Sequence, residues 1–254
     1  MPNMLRGVGS VRSEQTVITT IPNLALWLRA NDISGFSSGT GVSLWRDRSG
    51  NNNDSSNSTS GERPLYQTNV QNGLPALQFT SASSQHLVGT TNLGSSKDSR
   101  TFFAVFQHES ANDGSNAAGI IGQTSGGNAG AWFAMQSRAV TGSSGTPYFA
   151  GYGADVGGST FTTAWTVGTI TYSSASSVAT VRRSGSERGT GLVAINTPVA
   201  PYRVGINSSD TSTLMERFNG FIGEVVCYTT ILSSAQLEAV ERELGAKWGI
   251  TITT

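Results

Sequence analysis

The spacing of apolar positions changes once along the chain. Up to Leu232 they come in short runs, many alternating in twos, separated by Gly, Ser, Asn and Asp. This pattern predicts β-strands joined by turns. After Ser233 the spacing shifts to threes and fours. Leu237, Val240, Leu244 and Trp248 then form one stripe, which predicts an α-helix. Ser233 and Gln236 have capping-box spacing, and Gly249 sits where a left-handed glycine ends a helix. Glu238 with Arg242 and Glu243 with Lys247 are i,i+4 pairs, acid first, and Glu241 shares that helix.

Strands are expected near residues 24–28, 42–46, 76–79, 86–88, 101–107, 119–123, 131–136, 148–152, 165–172, 177–182, 202–206 and 218–232. The segment 101–107 is apolar on both faces, with Phe102, Ala104 and Phe106 on one and Phe103 and Val105 on the other. Such a strand lies between two layers. Residues 51–61 are wholly polar and are expected as a surface loop. Many short strands with a single helix predict an all-β sandwich or jelly roll with one C-terminal α-helix. Residues 1–21 are expected as an N-terminal arm, its end at 16–21 a candidate edge strand, and residues 22–254 as one domain.

Composition then narrows the function. Only 13% of the 254 residues are charged, and 16 basic residues balance 16 acidic ones. No basic excess exists to neutralise phosphates, so nucleic acid and anionic membranes are not expected partners. Hydroxyl and amide side chains with 31 glycines do the solvating, as suits a protein outside cells or on a particle surface. Cys227 is the single cysteine, which excludes an intrachain disulfide, and its strand setting predicts a buried thiol. The N-terminus lacks the apolar core of a secretory signal, and no run approaches the ~18 apolar residues that cross a bilayer.

Several motifs in order carry a family resemblance. Leu24-Ala-Leu-Trp-Leu-Arg-Ala-Asn-Asp32, Val42-Ser-Leu-Trp-Arg-Asp-Arg-Ser-Gly50, Arg63-Pro-Leu-Tyr66 and Asn72-Gly-Leu-Pro-Ala-Leu-Gln-Phe79 resemble the opening of a laminin-G-like, concanavalin A-like jelly-roll domain. The stretch from Phe218 to Ile250 resembles its ending. That resemblance implies two antiparallel sheets packed face to face, with first and last strands adjacent. It also implies a family of secreted bacterial, virion-surface and adhesion proteins, many of which bind carbohydrate or protein, some through Ca²⁺. Fold alone does not choose among these.

Candidate chemistry is sparse. No run places paired carboxylates on one strand face, as a jelly-roll glycosidase needs, and His86 and His108 lack supporting motifs. The chain is therefore expected not to be an enzyme. Asp32, Asp47 and Asp54 lie in consecutive loops with oxygen-rich neighbours and are the candidate Ca²⁺ ligands, against a competing role in Asx turns. No other cofactor is expected. Trp27, Trp45 and Trp248 read as core, whereas Trp132, Tyr148, Tyr152 and Trp165 are the candidate ligand-binding aromatics, against a core or partly core reading that their strand settings favour. Glu224, the one charge in an apolar strand, is expected to pair with Arg46 or Arg48.

Together these features lead to the expectation of a non-enzymatic bacteriophage virion surface protein. It would decorate a capsid or serve fibre or tail adhesion, with capsid or tail proteins and cell-surface or environmental glycans as partners, and could form homo-oligomers. The alternatives are a secreted bacterial carbohydrate-binding module, in which case the location is extracellular, and a glycanase or polysaccharide lyase.

Overall fold

The computed structural model describes residues 16–109, 117–124, 127–139, 145–158, 160–207 and 216–253. Two antiparallel sheets pack face to face. The nine-stranded sheet contains β1 (Leu24–Arg29), β2 (Thr40–Gly41), β5 (Leu65–Gln71), β6 (Leu74–Phe79), β8 (Arg100–His108), β12 (Thr166–Ser173), β13 (Val178–Arg183), β14 (Ser186–Leu192) and β16 (Gly220–Tyr228). The seven-stranded sheet contains β3 (Leu44–Trp45), β4 (Ser55–Ser56), β7 (Leu87–Gly89), β9 (Ala118–Thr124), β10 (Trp132–Arg138), β11 (Gly145–Ala150) and β15 (Tyr202–Val204). First and last strands are neighbours, Trp27 opposite Val226 and Arg29 opposite Glu224.

The alternation within β8 sets the layering. Phe102, Ala104 and Phe106 enter the core between the sheets, while Phe103 and Val105 face a second apolar cluster on the outer side. That outer side is covered by α2 (Ser234–Trp248), whose Val240, Leu244 and Trp248 are buried. Each large apolar side chain buried this way contributes on the order of 1.5–3 kcal/mol. The helix begins with the expected capping box between Ser233 and Gln236 and ends at Gly249 with φ 65°.

A β-bulge in β16 lies between Ile222 and Glu224. It reverses the alternation, so Ile222 stays in the inter-sheet core while Glu224 joins the face of Val226 and Tyr228. Gly223 at this bulge leaves the space that the Trp248 ring fills, and any Cβ there would collide with the ring. Glu224, almost wholly buried, accepts from Trp27 Nε1 at 2.7 Å, Trp248 Nε1 at 2.8 Å and Lys247 Nζ at 2.6 Å. Its partners are thus on β1 and α2, not Arg46 or Arg48. The bulge turns the carboxylate towards the helix, away from the loop that carries those arginines.

Other expectations change for related reasons. Residues 16–21 do not form an edge strand: Val17–Thr20 is a helical turn, α1, capped by Thr16. Ile18 and Ile21, three apart, fall on one side of that turn and are buried beside α2. This end of the expected arm is therefore part of the packed core. Glu243 accepts from the Val17 N–H at 2.8 Å, so it caps α1, and its expected partner Lys247 binds Glu224. Glu241 is fully buried, taking two hydrogen bonds from Arg182 at 2.9 Å each and one from Thr169 at 2.8 Å. Among the three helix acids, only Glu238 keeps its i,i+4 partner, Arg242, at 3.1 Å. The polar stretch 51–61 contains β4, with Ser55 and Asn57 buried and the Asn57 amide donating to the His86 carbonyl at 3.0 Å. Backbone-seeking amides made this burial possible where apolar patterning gave no sign of it. Cys227 is buried, and that burial pushes its thiol pKa well up.

Removing the Glu224 carboxylate strands one ammonium and two indole N–H groups in an apolar layer. Glu224→Ala is expected to cost about 3–5 kcal/mol in urea unfolding, and Glu238→Ala less than about 0.5 kcal/mol. Equal effects would show that the buried carboxylate does not join sheet to helix.

Candidate functional site

The outer face of the seven-stranded sheet carries a different kind of surface near β10 and β11. Strand alternation sends Phe133 and Met135 inward to the core and turns Trp132, Ala134 and Gln136 outward, followed by Arg138. From β11, Phe149 points inward, and Tyr148 and Ala150 share the outer cluster with Trp132 and Ala134. Ala134 pairs with Ala150 on one side and Gly122 on the other, so the floor here is shallow.

The turn after β11 supplies the rim. Tyr152 has φ 58°, a left-handed conformation unusual for a bulky residue. Its carbonyl accepts from the Gly130 N–H at 3.1 Å, which holds the turn in place. The Tyr152 ring is 43% exposed and leans on Trp132 with centroids 4.9 Å apart. Holding such a residue in this region costs on the order of 1–3 kcal/mol. The geometry that results is an aromatic wall standing over the sheet.

Polar groups converge below it. Arg138 lies over the Tyr148 ring at 4.3 Å and pairs with Asp155 at 3.5 Å. Asp155 also accepts from the Gly151 N–H at 2.9 Å, which fixes the carboxylate from the backbone side. Gln136 is 2% exposed, and its Oε1 has no protein partner among the described residues. Trp132, Tyr152, Gln136, Arg138, Asp155 and Glu216 line a hollow of about 270 Å³. A mostly buried aromatic floor, an exposed aromatic edge and a few fixed hydrogen-bonding groups suit a polyhydroxylated ligand, whose ring faces are apolar and whose edges donate and accept.

The structure therefore brings Trp132, Tyr148 and Tyr152 together, although Tyr148 acts as the bed of Arg138 and does not line the hollow. Trp165 lies elsewhere. It stacks at 5.8 Å on Trp248 and at 6.2 Å on Phe221, on the outer side of the other sheet. Gln136, Arg138 and Asp155 escaped sequence reasoning, although the every-second-residue spacing from Trp132 through Ala134 marks the first two as sharing its face. Nothing local marks Asp155, which arrives through the turn.

The three loop aspartates form two separate networks. Asp32 is held by Arg29 at 2.6 Å and Arg48 at 2.9 Å. Asp47 accepts from the N–H groups of Trp27, Ser49 and Asn53 and from the Ser49 hydroxyl, at 2.7–2.9 Å. Asp54 takes the Asp47 N–H at 2.8 Å. A Ca²⁺ shell needs converging oxygen acceptors, whereas these oxygens face positively polarised donors, so the donor set does not fit the ion. No group of three or more His, Cys, Asp or Glu suited to a metal occurs among the described residues. Near Asp32 a hollow of about 330 Å³ is lined by Arg29, Phe36, Trp45 and Arg46. It is larger than the one at Trp132, but its aromatic side chains are more covered than Tyr152: Trp45 is 1% exposed, and Phe36 is half-buried beside Tyr66.

His108, expected at a loop edge, is fully buried with Nδ1 3.0 Å from the Ser137 hydroxyl, which is in turn 2.9 Å from that of Thr146. Complete burial keeps this chain of groups away from any substrate.

Neither a protein-family model nor a curated protein sequence matches the chain. Solved structures do share its fold. Domain 4 of AbnA, a GH43 extracellular arabinanase from Geobacillus stearothermophilus solved with arabinotriose, is 16% identical with TM-score 0.57, over 85% of this chain and 96% of that one. The binding domain of Paraclostridial Mosquitocidal Protein 1 is 12% identical with TM-score 0.60, over 90% of this chain and 55% of that one. Trypanosoma rangeli sialidase is 13% identical with TM-score 0.55, and the match covers 92% of this chain but 34% of the sialidase. At these identities the likeness establishes the β-sandwich fold.

Proposed function

We propose that the chain is a carbohydrate-binding β-sandwich that recognises a saccharide on the outer face of its seven-stranded sheet, without turnover. One observation carries this reading: Tyr152 is held at φ 58° with its ring exposed against Trp132, above Gln136 and the Arg138–Asp155 pair. A strained, solvent-facing aromatic contributes little to folding, and its position suits stacking against a sugar ring. The arabinanase domain of the same fold, solved with arabinotriose, supports testing short neutral oligosaccharides first.

The setting we favour is the surface of a particle such as a bacteriophage virion, with capsid or tail proteins as partners. It is carried by the low charge and the hydroxyl-rich sequence. A secreted carbohydrate-binding module is the alternative setting. Hydrolysis of the bound saccharide is a second reading with one observation on its side, since Asp155 and Glu216 both line the hollow and glycosidases work with two carboxyl groups.

A glycan array followed by calorimetry on the best neutral oligosaccharide tests the binding. Trp132→Ala and Tyr152→Asn should each weaken it at least about tenfold. Tyr152→Asn should leave stability within about 1 kcal/mol, because Asn accepts the left-handed turn. Undiminished binding in both variants would refute the site. No reducing ends should appear on prolonged incubation; release that is lost in Asp155→Asn would establish hydrolysis instead. For the setting, the chain should co-sediment with phage particles, and removal of residues 1–15 should abolish this. That deletion stops at 15 because Ile18 and Ile21 belong to the core. Absence of co-sedimentation would rule out the particle setting.

A further inference from the structure

At the hairpin between β13 and β14, two arginines share one small pocket. Arg183 closes β13 and Arg188 follows on β14, and both line a hollow of about 190 Å³ with Trp165, Thr162, Thr166 and Ser184. Neither guanidinium pairs with an acidic side chain among the described residues. Arg183 spends its bonds on neutral oxygens: the Thr160 carbonyl at 2.9 Å, the Thr160 hydroxyl at 3.3 Å and the Thr146 carbonyl at 3.4 Å. The Arg188 Nε is buried with no partner among the described residues.

The contrast with the preceding residue is instructive. Arg182 points to the opposite face, where its Nε and Nη2 each donate to Glu241 at 2.9 Å. Glu187, between the two pocket arginines in sequence, lies opposite Arg182 in the register and acts electrostatically on Arg182. The hairpin thus neutralises one face and leaves two positive charges on the other. Those charges repel: Arg183 has its pKa lowered, first by burial and then by Arg188. Two partly desolvated guanidiniums without a counter-charge are unfavourable unless an anion completes them, and the forked geometry of Arg favours oxyanions.

We propose that this pocket binds an oxyanion, a sulfate or carboxylate, whether as a free small anion or as a substituent of an acidic saccharide. The Trp165 ring forms a wall on which the carrier of the anionic group can rest, and the threonine and serine side chains supply a polar border. Only the saccharide source rests on the function proposed above; the anion chemistry stands without it. This pocket is on a different part of the fold from the hollow at Trp132, so the two can succeed or fail separately.

The test titrates the full ¹⁵N-labelled chain with sulfate, acetate, glucuronate and glucose at constant ionic strength, following the Nε–H signals of Arg183 and Arg188. Sulfate, acetate and glucuronate should each shift both signals saturably, and glucose should not. The double variant Arg183→Gln, Arg188→Gln should weaken binding at least about tenfold, and Trp132→Ala should leave it unchanged. Should the double variant fail to fold, Arg188→Gln alone, on the edge strand, carries the same expectation. Glucuronate binding more tightly than acetate assigns the saccharide source, and equal affinity assigns the free anion. A lack of saturable shifts, equal shifts with glucose, or binding that persists in the arginine variants would overturn the proposal.

Discussion

A single buried carboxylate joins the two ends of this chain. Glu224 sits on the last strand, next to the first, and its oxygens take the indole N–H of Trp27 from β1, the indole N–H of Trp248 and the ammonium of Lys247 from α2. An unpartnered carboxylate at this depth would be strongly unfavourable, so strand, helix and bulge must form together. The bulge beside Gly223 is what turns the residue outward, and the same glycine makes room for the Trp248 ring. A second carboxylate, Glu241, repeats the arrangement in reverse, reaching from the helix to Arg182 on the sheet. With α2 and α1 packed over the outer side of the nine-stranded sheet, the outer face of the seven-stranded sheet is the one open to the saccharide recognition we propose.

Legibility in the sequence followed the strength of the local pattern. The two-faced run in β8 and the stripe, cap and terminal glycine of α2 were plain, because burial on both faces or along one stripe leaves a periodic trace. Ile18 and Ile21 gave too short a trace to separate a helical turn from a strand. The destinations of Glu224, Glu241 and Glu243 were hidden because each partner lies far away in sequence, and a bulge inverts the face that alternation assigns. At the candidate site the aromatics were visible as residue types, and their meeting was not. Trp165 has the same composition cues as Trp132, yet only strand order places one over the hollow and the other against the helix.

The two proposed sites differ in electrostatics in a way that separates their ligands. At Trp132 the Arg138 charge is balanced by Asp155, so recognition would rest on stacking and fixed hydrogen bonds, as suits a neutral sugar. At the β13–β14 hairpin two guanidiniums have no acidic side chain among the described residues to balance them, as suits an oxyanion. The strain at Tyr152 gives the first site its particular mark. A turn optimised for stability alone would place Gly or Asn at that position, and here a tyrosine occupies it.

The most direct measurement follows the indole N–H signals of the five tryptophans while neutral oligosaccharides, arabinotriose among them, are titrated into the ¹⁵N-labelled chain. The account predicts that Trp132 moves saturably while Trp27 and Trp248, both bound to Glu224, stay fixed. Movement of Trp45 or Trp165 with Trp132 unchanged would contradict it.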